Sequence, residues 1–314
     1  MDQKSYQMGG IFVLAIALTI ATATSAQDVQ DIYDRVEHGY ADNDGVRIHY
    51  ASLGDGPLVV MIHGFPDFWY TWRDQMEALS SDYRVVAIDL RGYNLSDKPE
   101  GVAAYAMPHH LADVEAVIED VGEASATIVG HDWGGYVAWS FALARPEMTD
   151  KLVILNLPHP NGLLRELRTN PQQYQNSAYA RTFQEKDPDD PEVFFGLPMT
   201  PQTLSSWVRD TDARARYVEA FERSDFTGML NMYKANYPRV RPGDEALPLT
   251  PKAKMPVLMF HGLDDTALLS DALNNTWDWL EKDLTLVTVP GAGHFVQQDA
   301  SELVTSTMQW WLQR

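Results

Sequence analysis

The chain has 314 residues, 44 acidic against 24 basic residues for a formal net charge of −20, no cysteine, and 45% hydrophobic residues. The absence of cysteine excludes disulfides, thiolate nucleophiles and cysteine-ligated zinc, and the negative charge argues against a nucleic-acid partner or an anionic membrane surface. The length and the apolar content fit one large α/β domain with an insertion rather than a disordered chain.

The first 26 residues have the pattern of a secretory signal peptide. Lys4 precedes an apolar stretch at residues 11–20, and a run of small residues ends at Ala26. The apolar stretch is shorter than the roughly 20 residues that a membrane-spanning helix needs. We therefore predict cleavage after Ala26, export to the periplasm or secretion, and no stable membrane association after cleavage. A retained anchor is the alternative.

Short β-rich runs alternate with helical patterns after residue 40. Residues 46–50 alternate at period two, as in a half-exposed strand. The runs 58–62, 85–88, 126–129 and 152–155 are almost continuously apolar, which is typical of strands buried in a parallel sheet. Residues 111–121 carry a helical repeat of apolar positions that ends at Gly122. This alternation predicts a doubly wound α/β fold, with a mostly parallel central sheet flanked by helices.

The alternation stops between residues 158 and 247. This segment is rich in proline, and its aromatic and methionine residues occur in helix-like stretches. Strand patterns return at residues 257–260 and 284–289, and an amphipathic segment follows at residues 303–312. We therefore predict a core of residues 27–157 and 248–314, interrupted by a helical insertion of residues 158–247, which we call the cap.

The segment Gly130-His131-Asp132-Trp133-Gly134-Gly135 lies between a predicted strand and a predicted helix. Glycines two residues before and two residues after a central residue are typical of a nucleophile elbow, because its sharp turn leaves no room for side chains there. The central residue is Asp132, a carboxylate that is ionised at neutral pH and can attack an sp³ carbon that bears a leaving group. Asp132 is therefore the candidate nucleophile. A helix-capping aspartate is the alternative interpretation.

Two later loops contain candidates for the other catalytic groups. His294, in a small-residue loop after the last predicted strand, is the candidate general base for a water molecule. Asp265 follows the strand at 257–260 and is the candidate acid that orients the imidazole, with the adjacent Asp264 as the alternative. Asn156, after an earlier strand, has a neutral amide and is a poorer candidate.

The loop that follows the strand at 58–62 contains His63-Gly64-Phe65-Pro66. In an elbow architecture, one N–H of this loop and the N–H after the nucleophile form an oxyanion hole. We therefore predict that the backbone N–H groups of Phe65 and Trp133 bind the oxyanion. His63 is interpreted as a structural residue that braces the loop.

Four segments together resemble the epoxide hydrolases of the α/β-hydrolase superfamily, close to its haloalkane and haloacetate dehalogenases. The segments begin at His63, Asp89, Gly130 and Asn156, and the similarity extends over essentially the whole chain after residue 40. The resemblance implies the α/β-hydrolase fold, with the helical cap inserted after the sixth strand. It further implies two cap tyrosines that donate a proton to the epoxide oxygen.

Two tyrosines of the cap match those positions. Tyr179 precedes the pair Phe183-Gln184, and Tyr233 lies in Asn231-Met232-Tyr233-Lys234. A phenol with a pKa near 10 stays protonated at neutral pH and can donate. We predict an apolar pocket between cap and core, whose candidate walls are Phe68, Trp69, Phe183, Met229 and Met232, with Trp133, Phe194, Phe195 and Trp207.

The resemblance thus implies a hydrolase, independent of metal and cofactor, that opens a small hydrophobic epoxide to a vicinal diol through an alkyl ester on Asp132. A homodimer is a candidate assembly. A dehalogenase on the same scaffold is the alternative activity, although Phe65 offers no halide donor and Trp133 replaces the arginine of fluoroacetate-type enzymes. A non-catalytic ligand-binding protein is the second alternative.

Overall fold

The computed structural model describes residues 30–314, so the predicted signal peptide lies outside the described residues and export stays a prediction. Eight strands occur in this range: β1 (Glu37–Asn43), β2 (Val46–Leu53), β3 (Leu58–Ile62), β4 (Arg84–Ile88), β5 (Ala126–His131), β6 (Thr149–Leu155), β7 (Val257–Gly262) and β8 (Leu284–Val289). They form one sheet in the order β1-β2-β4-β3-β5-β6-β7-β8. The pairs β1/β2 and β2/β4 are antiparallel, and the others are parallel.

The middle of the sheet positions the site. Every residue of β3, β5 and β7 is buried, as their continuous apolar sequences predict. Because the strands from β3 to β8 run in parallel, the loops that leave their carboxyl ends meet at one edge of the sheet. The predicted catalytic residues of the core all follow β3, β5, β7 or β8, so the topology brings them to this edge.

One strand differs from its sequence pattern. The alternation at residues 46–50 predicts a half-exposed strand, but residues 48–52 of β2 are all buried. The prediction was wrong because both faces of β2 are covered: the Tyr50 hydroxyl donates to Asp120 at 2.7 Å on one face, and His49 contacts Asp89 on the other. The strand β1, which the sequence analysis did not identify, pairs with β2 at the edge of the sheet. The polar His49 is accommodated by a 2.7 Å hydrogen bond between its Nδ1 and Asp89.

Eleven α-helices occur within residues 30–314. Five flank the sheet: α1 (Arg73–Leu79), α2 (Met107–Asp120), α3 (Trp133–Ala144), α10 (Val296–Asp299) and α11 (Ser301–Leu312). Six lie between β6 and β7: α4 (Pro160–Thr169), α5 (Pro171–Asn176), α6 (Ala178–Glu185), α7 (Pro201–Leu204), α8 (Thr211–Arg223) and α9 (Phe226–Asn236). Side-chain oxygens of Asn170, Asp210 and Asp225 cap the first turns of α5, α8 and α9.

Polar contacts fix α9 over the elbow. The Gln184 side chain, on α6, donates to the carbonyls of Tyr233 and Tyr237 at 3.2 and 3.0 Å. The Asp225 N–H donates to the carbonyl of Gly92 at 2.8 Å, and the Asn236 amide donates to a core carbonyl, also at 2.8 Å. The helix that carries Tyr233 is therefore held from both the cap and the core.

A second junction joins α8 to the loop after β3. The Tyr217 hydroxyl donates to Oδ1 of Asp67 at 2.8 Å, and the Gln298 amide donates to the Tyr217 oxygen at 2.9 Å. Burial raises the pKa of Asp67 to about 7, although the hydrogen bonds from Tyr217 and Thr71 oppose this shift. A carboxyl group that titrates near neutral pH thus lies in the seam between cap and core.

The residues Ile32–Arg314 make up one compact unit, in which the cap packs on the core. None of the helices within the described range combines the length and the apolar character that a bilayer crossing requires.

Candidate active site

The elbow residue Asp132 adopts a backbone conformation that few side chains tolerate. It lies between β5 and α3 with φ 51° and ψ −121°, outside the regions that non-glycine residues favour. A Cβ atom at Gly130 would collide with the Gly134 backbone, and one at Gly134 would collide with the backbone at Ile62. The glycines at these two positions are therefore sterically required, as the elbow pattern predicts.

The structure brings Asp132, His294 and Asp265 into one line of contacts. Nε2 of His294 lies 3.4 Å from Oδ2 of Asp132, and Nδ1 of His294 lies 2.8 Å from Oδ2 of Asp265. The N–H of Phe65 donates to the other Asp132 oxygen, Oδ1, at 2.8 Å. The arrangement can present one free carboxylate oxygen to a substrate and one imidazole nitrogen to a water molecule.

Asp265, rather than Asp264, contacts His294. Oδ1 of Asp265 accepts the N–H groups of Ala267 and Leu268 at 2.8 and 3.0 Å, and its Oδ2 accepts the Asn156 amide at 2.8 Å. The side chain of Asp264 makes no hydrogen bond or ion pair with any of the described residues. Asn156 therefore supports the orienting acid through its neutral amide.

Charge coupling sets the protonation of this group. Burial alone would lower the pKa of His294, but the carboxylates of Asp265 and Asp132 raise that pKa well above its ordinary value. Burial alone would raise the pKa of both acids, but His294 lowers the pKa of each below its ordinary value. The resting site therefore holds an imidazolium between two carboxylates.

The two cap tyrosines lie over Asp132 in a cluster of aromatic rings. Tyr233 is 2% exposed, and its ring centre lies 5.0 Å from that of Phe183 and 4.9 Å from that of Trp133. The centre of the Tyr179 ring lies 6.3 Å from that of Tyr233. Burial raises the pKa of both phenols well above 10, and the negative charge of Asp132 adds to this effect, so both stay protonated and able to donate.

The loop after β3 is braced as its sequence suggests. Nδ1 of His63 lies 2.8 Å from the carbonyl of Gly64, and its Nε2 lies 3.0 Å from the backbone nitrogen of Leu90, which donates to it. Trp133 begins α3, so its N–H belongs to the first turn of that helix, which has no intrahelical acceptor. The two backbone groups predicted as an oxyanion hole thus flank Asp132.

Two cavities meet at Asp132, and both are lined by Asp132, Tyr179 and Tyr233. The larger, of about 400 Å³, extends to Phe65, Phe194, Phe195, Leu197, Trp207 and Phe295, and to Asp264, Asp265 and His294. The smaller, of about 30 Å³, is bounded mainly by Trp133, Tyr136, Leu157, Leu163, Tyr237 and Leu268.

These cavities correct the predicted pocket wall. Phe194, Phe195, Trp207 and Trp133 line them, but Phe68, Trp69, Phe183, Met229 and Met232 do not. Phe183 is fully buried behind the tyrosines and contacts both of their rings. Phe68 packs on Tyr217 of α8, and Trp69 stacks on Tyr33. The prediction chose large apolar residues near the motifs, but most of these pack against other side chains in the protein interior instead of facing the cavity.

Two residues near the site were missed by the sequence analysis. His131 is fully buried, and its Nε2 lies 2.8 Å from the backbone carbonyl of His294, where it can donate and hold the loop of the base. Burial and the charge of His294 lower the pKa of His131 to about 4, so it is neutral at pH 7. Tyr237 lines the smaller cavity and follows the last residue of α9; its spacing of four residues from Tyr233 was the available signal.

The described residues offer no evident place for a metal ion. Within residues 30–314, no group of three or more acidic or histidine side chains is arranged to hold one. Asp132, Asp265 and His294 line the larger cavity and pair with one another, and the phenols of Tyr179 and Tyr233 line it as well.

Comparison with known proteins places this arrangement in a family. A family model described as alpha/beta hydrolase fold matches residues 57–301. Epoxide hydrolase 1 of Caenorhabditis elegans is 36% identical over 283 residues, which cover 86% of this chain and 68% of the relative. The AB hydrolase superfamily protein YfhM of Bacillus subtilis is 34% identical over 285 residues, covering 86% of this chain and 96% of the relative.

Solved structures agree with these relatives. The crystal structure of a Bacillus megaterium epoxide hydrolase in complex with an inhibitor superposes with a TM-score of 0.78 at 30% identity, covering 88% of this chain and 100% of that one. An epoxide hydrolase from metagenomes of hot environments gives a TM-score of 0.77 at 31% identity, covering 88% of this chain and 98% of that one. The chain is therefore a hydrolase with the α/β-hydrolase fold, and it belongs within that family to the epoxide hydrolases.

Proposed function

We propose that the protein hydrolyses a hydrophobic epoxide to a vicinal diol through a covalent ester on Asp132. One observation carries the proposal: a carboxylate nucleophile and two protonated tyrosines line the same cavity. An epoxide needs both partners, because its carbon must be attacked while its oxygen receives a proton.

In the first step, the free oxygen Oδ2 of Asp132 attacks an epoxide carbon. The C–O bond of the ring breaks, and the leaving oxygen receives a proton from Tyr179 or Tyr233. The product is a hydroxyalkyl ester of Asp132. Tyr233 is buried and Tyr179 is partly buried, and both rings pack against Phe183, which holds the two phenols at the cavity that Asp132 also lines.

In the second step, His294 removes a proton from a water molecule that attacks the ester carbonyl. The resting enzyme holds His294 as an imidazolium, because two carboxylates raise its pKa. Esterification neutralises Asp132 and removes one of these two charges, so the pKa of His294 falls. The imidazolium then passes its proton, through water, to the tyrosinate that the first step leaves, and the neutral imidazole acts as the base. The N–H groups of Phe65 and Trp133 then bind the oxyanion. Its collapse breaks the bond between Cγ and Oδ2, the departing alkoxide takes the remaining proton of the attacking water, and the diol leaves the regenerated carboxylate.

The experiment that tests this mechanism traps the ester. His294→Gln should block the second step but leave the first intact. After incubation with styrene oxide, the intact protein should gain the mass of one whole epoxide, located on Asp132 by peptide mass spectrometry. His109→Gln, at an exposed histidine outside the site, is the matched control and should turn over without accumulating an adduct.

Two results would overturn the proposal. A dehalogenase would form an adduct from a haloalkane, with loss of hydrogen halide, and none from the epoxide. A ligand-binding protein would form no covalent adduct with either compound.

A further inference from the structure

The two cavities at Asp132 have very different sizes. The smaller, of about 30 Å³, has room for about one or two water molecules, whereas the larger has about 400 Å³. Because Asp132 lies at their junction, an epoxide bound there must direct its larger substituent into the larger cavity. The residues along that cavity then determine which substituents are accepted.

The larger cavity is apolar at its mouth but negatively charged. Phe195 and Leu197 at its rim are 66% and 51% exposed. Its charged lining consists of Asp132, Asp264, Asp265 and His294, and no lysine or arginine is among its described lining residues. The imidazolium of His294 offsets only one of three carboxylates, so an entering substituent meets an excess of negative charge.

Asp264 is the carboxylate in this cavity that the proposed mechanism does not use. Its side chain is exposed and has no hydrogen-bonding or ionic partner among residues 30–314. Its backbone N–H donates to the carbonyl of Ala292 at 2.9 Å, which fixes its position at the cavity wall. An unpaired carboxylate repels an anion and attracts a cation within about one Debye length.

We propose that Asp264 is a specificity-determining residue, which makes the site favour epoxides whose larger substituent is neutral or carries an ammonium group over those that carry a carboxylate. The proposal rests on the proposed function, since it concerns substrates of the same site. The proposal predicts that the enzyme hydrolyses epoxides with a carboxylate, such as those of free fatty acids, less well than epoxides of the same size that carry an amide, an ester or an amine.

A second cleft, which is lined by arginine residues, suggests the opposite substrate preference. Arg181, Arg239 and Arg241 line a cleft of about 220 Å³ that shares Tyr237 and Pro238 with the smaller cavity. If substrates reached Asp132 through this cleft, carboxylates would be favoured instead. Asp132 does not line this cleft, and the smaller cavity that shares Tyr237 and Pro238 with it has only about 30 Å³. We therefore expect the larger substituent to lie in the larger cavity, beside Asp264.

The test uses terminal epoxides of one chain length that end in a carboxylate, a carboxamide or a trimethylammonium group. For the wild type at about 0.01 M ionic strength, we expect kcat/KM for the carboxylate to be about fivefold below kcat/KM for the carboxamide. We expect kcat/KM for the ammonium compound to equal or exceed kcat/KM for the carboxamide. Asp264→Asn should raise the carboxylate to carboxamide ratio toward one, because it removes one of the two uncompensated negative charges of the cavity. About 1 M salt, where the Debye length is about 3 Å, should have the same effect on the wild type.

Asp189→Asn is the matched control, because it removes the same charge from an exposed position that lines neither cavity. It should leave the ratio unchanged. If no epoxide of the series is hydrolysed, the proposed function fails. If the carboxamide is hydrolysed but the carboxylate is equally good or better, or if Asp264→Asn does not change the ratio, the function stands and the role of Asp264 is refuted.

Discussion

The core and the cap hold their parts of the site by different forces. On the core side, Asp132 and Asp265 accept hydrogen bonds from backbone N–H groups, and His294 lies between them. On the cap side, Tyr179 and Tyr233 pack in a cluster of aromatic rings, and hydrogen bonds from Gln184 hold the helix that carries Tyr233. The core therefore holds the charged groups of the site, and the cap holds the two phenol groups and the aromatic rings around them.

The largest effect is expected at Asp132. Asp132→Gly and Asp132→Ala should both reduce kcat by at least about 10⁴-fold, because no nucleophile remains. Glycine adopts positive φ without strain, so Asp132→Gly should be more stable than Asp132→Ala by about 1 kcal/mol. Steady-state kinetics and urea denaturation of the two variants measure these effects. Equal stability of the pair would show that the elbow stores no backbone strain.

A smaller effect on rate is expected at the cap tyrosines. Tyr233→Phe and Tyr179→Phe keep the rings that pack against Phe183 but remove the proton donors. We expect each single change to slow ester formation about 10-fold to 100-fold, and the double change to slow it by about 10³-fold. Stopped-flow fluorescence in a single turnover measures this step. If ester hydrolysis slowed instead of ester formation, the tyrosines would not be the donors to the epoxide oxygen.

The smallest effect is expected at Asp67, in the seam between the two regions. Its folded-state pKa of about 7 lies above the ordinary value of 3.8, so the folded protein binds a proton there that the unfolded chain releases. The contribution of this bound proton to the free energy of unfolding is fully present below about pH 4 and is lost as the pH rises through about 7. Asp67→Asn lacks this dependence. Relative to the wild type, the variant should gain about 2 kcal/mol of unfolding free energy between pH 5 and pH 7.

Chemical denaturation at each pH measures this difference. Asp189→Asn again provides the control, since it removes an exposed carboxylate from the cap. If the two variants showed parallel pH profiles, Asp67 would be ionised throughout, and the seam would carry no pH-sensitive contact.

The same contrast explains how much of the molecule could be predicted from the sequence. The strands β3, β4, β5 and β7 were predicted within two residues and β6 within three, because burial on both faces leaves a continuous apolar sequence. The bounds of β8 were predicted as observed, although most of its residues are not fully buried. The elbow was predicted because its glycines are required by sterics. The edge strand β1 has a polar and partly exposed sequence, with only Ala41 buried, and no periodicity indicated it.

The cavity wall could not be predicted in the same way. Phe183 and Phe194 are both apolar residues of the cap, yet the first is buried behind the tyrosines and the second lines the cavity. Hydrophobicity indicates burial but not which buried side chain faces an empty space, since this depends on how the cap helices pack. The choice between Asp264 and Asp265 likewise depended on loop geometry that the sequence does not encode locally.

The hydrogen bond from Phe65 makes the two oxygens of Asp132 chemically different. Oδ1 is held by the N–H at 2.8 Å, whereas Oδ2 has only the 3.4 Å contact with His294. In the proposed reaction, Oδ2 leaves with the diol, and the oxygen of the attacking water takes its place. One oxygen atom of this side chain would thus be replaced by an oxygen atom of the solvent at every turnover, while the other is held by the N–H of Phe65 as the ester is hydrolysed.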